Sequence, residues 1–242
     1  MSSHDDEFKP CPNCLTGFRL NGDPKGTVQT FGGLECYVAK GNSRDGGKKA
    51  VVLGTDVLGL AITNPKILAD ALAEKTGWDC HVPDYFEDGA QAILFTLASI
   101  LYGFVWKVGP SWFARHKTGH VAGLAEKFCK ALKNERGYER LGWVGYCCGG
   151  GRSSAENFEA VRKPFALICA EEEFEFGSLK PKAISILNNK IEKEQGIPVA
   201  ILDDHASTTH GFGSRPDLSQ PAVKASFEKA LKEPTDWWQQ HL

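Results

Sequence analysis

Residues Lys49 to Gly54 read Lys-Ala-Val-Val-Leu-Gly, a continuous apolar run closed by a glycine. A strand with one wet face alternates apolar and polar side chains, whereas an unbroken run marks a strand buried on both faces, as in parallel sheets covered by helices. The surrounding sequence alternates accordingly. Asn64 to Thr76 carries Ile67, Leu68, Ala71 and Leu72 at helical spacing, Gly77 ends it, and Trp78 to Val82 is again strand-like, which completes a β-α-β unit. Ahead of it, Thr27 to Phe31 and Leu34 to Val38 flank Gly32-Gly33 and read as a hairpin. Downstream, strands are expected at Leu141 to Gly145, Phe165 to Ala170 and Pro198 to Asp203, with helices over Ser153 to Arg162 and Pro181 to Glu194. Pro221 to Leu242 is expected to be a closing helix interrupted at Pro234, and the aromatic-rich stretch Ala90 to Arg136 a helical cap over a pocket. The expected class is α/β, with a mostly parallel central sheet and helices on both faces. Residues 1–242 form one domain in this reading, with residues 1–25 as its N-terminal lead.

Composition removes several classes of function. Lys plus Arg number 28 against 30 Asp plus Glu, a formal charge of −2, and neither sign forms a block that would track a polyanion, so no nucleic-acid partner is expected. Apolar stretches such as Ala90 to Val105 fall short of the ~20 residues a membrane span needs, so no membrane association is expected either. The acidic start Met-Ser-Ser-His-Asp-Asp-Glu lacks the marks of a secretory or mitochondrial leader, which favours a cytoplasmic address. Eight cysteines are then expected to be mostly free thiols, with Cys80, Cys129 and Cys169 as small buried hydrophobes.

One pair of cysteines sits where chemistry is done. Gly145-Tyr146-Cys147-Cys148-Gly149 follows a short strand and precedes a helical stretch, the setting of a nucleophile elbow. Such a turn forces strained angles on its central residue and needs small residues two before and two after, a requirement met here by glycine at both places. Cys147 would project from the carboxyl end of a central strand, where a helix N-terminus favours a thiolate and backbone N–H groups can face an oxyanion. A glycine-rich turn that binds phosphate, or merely packs, is the plainer alternative, although the lysine of a P-loop is missing.

An elbow nucleophile is followed in chain order by an acid and a histidine on later loops. After the strand ending near Ala170 comes Glu171-Glu172-Glu173-Phe174-Glu175, and after the next strand comes His205-Ala-Ser-Thr-Thr-His210-Gly-Phe. Most of the glutamates are expected to be solvated, and His205 to be an exposed loop histidine. His210, ahead of a Gly-Phe pair that turns the chain back toward the core, is the preferred base.

These residues resemble the dienelactone hydrolase family, in its fungal-type branch of the α/β-hydrolases. The resemblance runs over nearly the whole chain: Cys14-Leu-Thr-Gly-Phe, Gly26-Thr-Val, Thr55-Asp56-Val57-Leu58-Gly59, Pro83-Asp84-Tyr85-Phe86, Gly145-Tyr-Cys-Cys-Gly-Gly and His210-Gly-Phe. It implies an α/β-hydrolase fold, a small-molecule ester or lactone substrate, no cofactor, no metal, and a monomer or homodimer. It also implies Cys147 as nucleophile, His210 as base and Glu173 as acid, where the family usually has aspartate; Glu171 and Glu175 stay open as alternatives. The oxyanion would meet the N–H groups of Val57 and Cys148. Asp56 stands where bacterial members place a glutamate that helps activate the thiol. Family substrates bear a carboxylate held by arginines at the pocket mouth, a part that falls to Arg215 and, as a weaker candidate, to Arg152 just after the elbow glycines; Tyr85 is counted with them, but the second arginine expected near it has no counterpart within Pro83 to Gly89. An exposed Arg215 paired with Asp217 is the plainer alternative. Cys11-Pro-Asn-Cys14 has zinc-knuckle spacing but no second ligand pair, and reads as a packed lead. Besides lactone hydrolysis, a broad esterase or thioesterase and a non-catalytic ligand-binding protein remain open.

Overall fold

The computed structural model describes residues 17–43, 47–86, 118–150, 155–173, 179–193 and 196–242. Five strands, β1 (Thr27–Phe31), β2 (Leu34–Ala39), β3 (Lys49–Gly54), β4 (Asp79–Pro83) and β5 (Arg140–Gly145), form a sheet in the order β1-β2-β4-β3-β5. Two more, β6 (Phe165–Glu172) and β7 (Val199–Thr209), pair with each other. The helices are α1 (Asn64–Thr76), α2 (Thr118–Arg136), α3 (Ala155–Glu159), α4 (Lys180–Glu192) and α5 (Pro221–His241). β3 runs parallel to β4 and β5, and β6 to β7, while β1–β2 and β2–β4 are antiparallel. The antiparallel edge follows from the two-residue link Gly32-Gly33: both residues have positive φ, 58° and 86°, and so short a link can only reverse the chain. The α/β class and helical cover of both sheet faces are as the sequence implies. The expected single sheet is instead two ladders among the described residues.

β3 explains why its apolar run is unbroken. Val51 and Leu53 face one cluster with Leu68 and Leu72 of α1 and Phe227 and Trp238 of α5, whereas Ala50 and Val52 face another with Phe128 and Leu132 of α2. Each such large side chain, fully buried, contributes about 1.5–3 kcal/mol. α2 is therefore a layer helix against the sheet. The expected cap over Ala90 to Arg136 does not hold for this part of the segment, because Phe128 and Leu132 are wholly buried; positions 90–117 lie outside the described residues. Cys129, expected to be buried, is only half-buried on the same helix.

α5 joins the two ladders. Phe227 and Trp238 pack into the cluster on β3, with the Trp238 ring seated where a Cβ on Gly142 of β5 would lie. The same helix reaches β7 through the Ser226 hydroxyl, which donates to the Ala206 carbonyl. Pro234 was expected to interrupt this helix, yet α5 is continuous from Pro221 to His241. A proline inside a helix costs about 3 kcal/mol; the buried anchors Phe227 before it and Trp238 after it, with Pro234 itself buried, offset that cost.

β7 also departs from expectation, running on to Thr209 rather than ending near Asp203. The four residue steps from Ile168 to Glu172 on β6 face seven steps from Leu202 to Thr209 on β7. β7 accommodates the excess in bulges, which blur the alternation by which a strand is read and re-aim side chains.

Candidate active site

β5 ends at Gly145, and after Tyr146 the chain enters a 3-10 turn, Cys147–Gly150. Cys147 has φ 53°; among the described non-glycine residues, Ser207 at 59° is the other with a positive value. A side chain held there costs on the order of 1–3 kcal/mol, so the surroundings must impose it. They do so by contact. A Cβ on Gly145 would fall 2.1 Å from the Gly149 oxygen, and one on Gly149 would fall 2.1 Å from the Gly54 carbonyl carbon. Tyr146 N–H donates to Gly54 O at 3.0 Å, Gly149 N–H to Tyr146 O at 2.9 Å, and the Trp143 indole to Gly149 O at 3.0 Å. The turn is thereby pressed against the end of β3, beside the segment that carries Val57. Arg152 lies outside the described residues.

The acid and base expectations converge on one pair. His210 Nδ1 is 2.8 Å from Glu173 Oε2, with both side chains nearly buried. A carboxylate can only accept, so Nδ1 carries the hydrogen and neutral His210 keeps its lone pair on Nε2, as a base requires. Glu171 is occupied elsewhere: its carboxylate accepts the Ser207 N–H at 2.6 Å, holding the backbone at its positive-φ position. Glutamate at 173 can make the contact because β6 has ended at Glu172 and the residue stands beyond the ladder. Glu175, Cys11 and Cys14 lie outside the described residues.

Asp56 and Arg215 meet each other. Arg215 Nε donates to Asp56 Oδ2 at 2.8 Å, the Ser214 hydroxyl donates to the same oxygen at 3.0 Å, and Asp56 Oδ1 accepts the Leu58 N–H at 3.0 Å. Both side chains are almost wholly buried. The exposed Arg215 paired with Asp217 is thus corrected: Asp217 bonds Ser219 and Gln220, and burial gives Arg215 the nearer carboxylate. Asn64, at the start of α1, adds a second tie. Its carbonyl accepts Leu20 N–H at 3.0 Å, and its amide donates to Phe18 O and Ser214 O at 2.9 and 2.8 Å. The loop after β3, the lead and the loop after His210 are thereby laced together. Tyr85 is 1% exposed, its ring tilted against Trp143 at 6.1 Å, and its hydroxyl has no hydrogen-bond partner among the described residues.

Cys36, Cys80 and Cys129 are poor nucleophiles. Burial pushes Cys36 up to about 12 and holds Cys80 and Cys129 above the ordinary thiol range. Burial likewise lowers His81 to about 4, so it stands neutral between Cys36 and the Tyr138 hydroxyl.

His205 corrects the expectation of an exposed loop histidine. It is fully buried on β7 because the bulges turn it inward, where it meets Glu233 of α5 at 2.9 Å. Asp204, His205 and Glu233 bring three ligating atoms within 4.8 Å, but Lys229 already pairs with Asp204 and lies 3.9 Å from Glu233, so the chain supplies its own cation. Asn64 and Glu233 were missed in the sequence; an Asn-Pro helix start and an acid on an amphipathic helix carry no signal of their distant partners.

No protein-family profile matches the chain. It is 28% identical to Dienlactone hydrolase 2 of Gibberella moniliformis, over 93% of this chain and 92% of that protein. It is 26% identical to the carboxymethylenebutenolidase homolog of Rattus norvegicus, over 98% and 99%. A Klebsiella pneumoniae structure assigned as a dienelactone hydrolase superposes with a TM-score of 0.64 at 13% identity, covering 86% of this chain and 93% of that one. Among the described residues, no helix is long and apolar enough to cross a membrane.

Proposed function

Starting from a chain that is a hydrolase related to the dienelactone hydrolases, with the α/β-hydrolase fold, we propose that it cleaves an ester or lactone through Cys147. His210 is the base, Glu173 orients it, and the N–H groups of Val57 and Cys148 receive the oxyanion. The observation that carries this reading is the 2.8 Å bond between His210 Nδ1 and Glu173, which fixes the tautomer whose Nε2 can take a proton.

In the proposed cycle the Cys147 thiol gives its proton to His210 Nε2 as Sγ attacks the carbonyl carbon. The tetrahedral intermediate collapses, the C–O bond breaks, and the His210 proton passes to the leaving oxygen, which leaves a thioester on Cys147. Water then adds to the thioester, giving one proton to His210; Sγ leaves and recovers that proton, and the acid is released. Each group returns to its starting state. For a lactone, both product ends belong to one molecule.

The substrate is proposed to be a small unsaturated or carboxylated lactone. A second reading, a broad esterase or thioesterase, is favoured by the buried pairing of Arg215 with Asp56, which already matches the arginine charge that a substrate carboxylate would use. Purified protein is to be assayed with dienelactone and with p-nitrophenyl acetate, beside Cys147→Ala and His210→Ala. Lactone turnover lost in both variants is the expected result. Ester turnover without lactone turnover selects the second reading, and no turnover of either substrate overturns both.

A further inference from the structure

His205 stands five residues before His210 and is fully buried. Its Nδ1 is 3.0 Å from the backbone oxygen of Cys169 on β6, and its Nε2 is 2.9 Å from Glu233 Oε2 on α5. A carbonyl oxygen only accepts, so Nδ1 carries a hydrogen. Its Nε2 bonds Glu233, so the ring is held at both nitrogens, to β6 on one side and to α5 on the other. Lys229 of α5 lies 3.9 Å from the second Glu233 oxygen and pairs on its other side with Asp204 of β7. Glu233, Lys229, Asp204 and Cys169 are the titratable residues that the elements around His205 present to it among the described residues.

Three contacts lead from this residue to the proposed acid and base. Its Nδ1 grips β6, and Glu173 is the first residue beyond that strand. Its ring centroid lies 5.3 Å from that of Phe212, two residues after His210, with the two rings tilted. Its own carbonyl accepts the Thr208 hydroxyl, and Thr208 in turn accepts the N–H of Glu171. The bulges of β7 leave this stretch with few regular ladder bonds, so side chains hold it to β6.

We infer that His205, held between the Cys169 carbonyl and Glu233, is a positioning residue that sets the strand bearing Glu173 against the loop bearing His210. The inference rests on the triad reading above. Rates of acyl transfer fall steeply with small misplacements of the reacting groups, so a displaced base shows in kcat before it shows in KM.

The test is histidine-selective nitrogen-15 NMR of the full chain with kinetics on p-nitrophenyl acetate, in wild type, Glu233→Gln and His205→Phe. Glu233→Gln keeps the length and a hydrogen-bonding partner and removes only the charge, so it tests the inference even where His205→Phe fails to fold. In wild type the His205 Nδ1 is expected to carry a hydrogen held by the Cys169 carbonyl, and the His210 Nδ1 proton to be shifted downfield by Glu173. In Glu233→Gln the His205 and His210 signals are both expected to move, and kcat to fall about tenfold with KM within twofold. A His205 Nδ1 without a hydrogen in wild type, or an unmoved His210 signal in Glu233→Gln, overturns the inference. Absence of turnover in wild type with the stated NMR changes overturns the hydrolytic reading and leaves the positioning role supported by the His210 signal.

Discussion

The proposed nucleophile and the proposed acid–base pair are held by different physics. Around Cys147 the constraint is steric: two glycines at which an added Cβ would fall 2.1 Å from backbone atoms, a positive φ at the tip, and a sheet sealed on both faces by apolar clusters. Around Glu173 and His210 it is polar: a bulged strand pair bound by Glu171 to Ser207, Thr208 to His205, and His205 to Glu233. The contrast shows how a fold can make one element rigid by excluding alternatives and tune another through charge. Changes in the first region should strike folding; changes in the second should strike rate with the fold intact.

Gly149→Ala gives the largest expected effect. Its methyl group meets the Gly54 backbone, which cannot give way as a flexible side chain would, so a loss above about 4 kcal/mol, or failure to accumulate folded protein, is expected in thermal and urea unfolding. A variant of near-normal stability would break the steric half of the comparison. Glu173→Gln is expected to keep the melting temperature within a few degrees while lowering kcat by about 10³-fold, because the amide no longer selects the tautomer. Glu171→Gln, whose group holds Ser207 instead, should cost far less activity; the reverse order would move the acid to Glu171.

A pH experiment separates stability from activity. His81 is held near 4 by burial, below its ordinary value of 6.5, so the unfolded chain binds the extra proton between those values. Stability contributed by neutral His81 is complete above about pH 6.5 and is lost as pH falls toward 4, by about 3 kcal/mol. Urea midpoints at pH 7.5 and 4.5 should show this drop, and His81→Phe should shrink it. The smallest effect expected is for Trp143→Phe, which removes the bond to Gly149 O and should cost about 1 kcal/mol in the same assay.

The same contrast decides how much could be read from sequence. The hairpin, β3, α1, β5 and the elbow lie close to their expected bounds, because unbroken apolar runs, helical spacing and paired glycines are local consequences of what those segments bury. The end of β7 was misread because its bulges replace alternation with Asp-His-Ala-Ser-Thr-Thr, a composition that looks like loop. Pro234 was misread because its local penalty is visible in sequence while Phe227 and Trp238, which hold the helix, act through the sheet. Arg215 and Asp56 were each singled out, but their pairing joins positions 159 residues apart, and no local pattern encodes it.

Alkylation of Cys147 by iodoacetamide, followed by mass spectrometry site by site across pH 5 to 9, tests the central assignment most directly. The proposed triad requires Cys147 to react at least about tenfold faster at pH 7 than Cys36 or Cys80, whose burial suppresses the thiolate, and requires His210→Ala to abolish that advantage. Equal labelling of Cys147 and the buried thiols, or an advantage that survives His210→Ala, would contradict it.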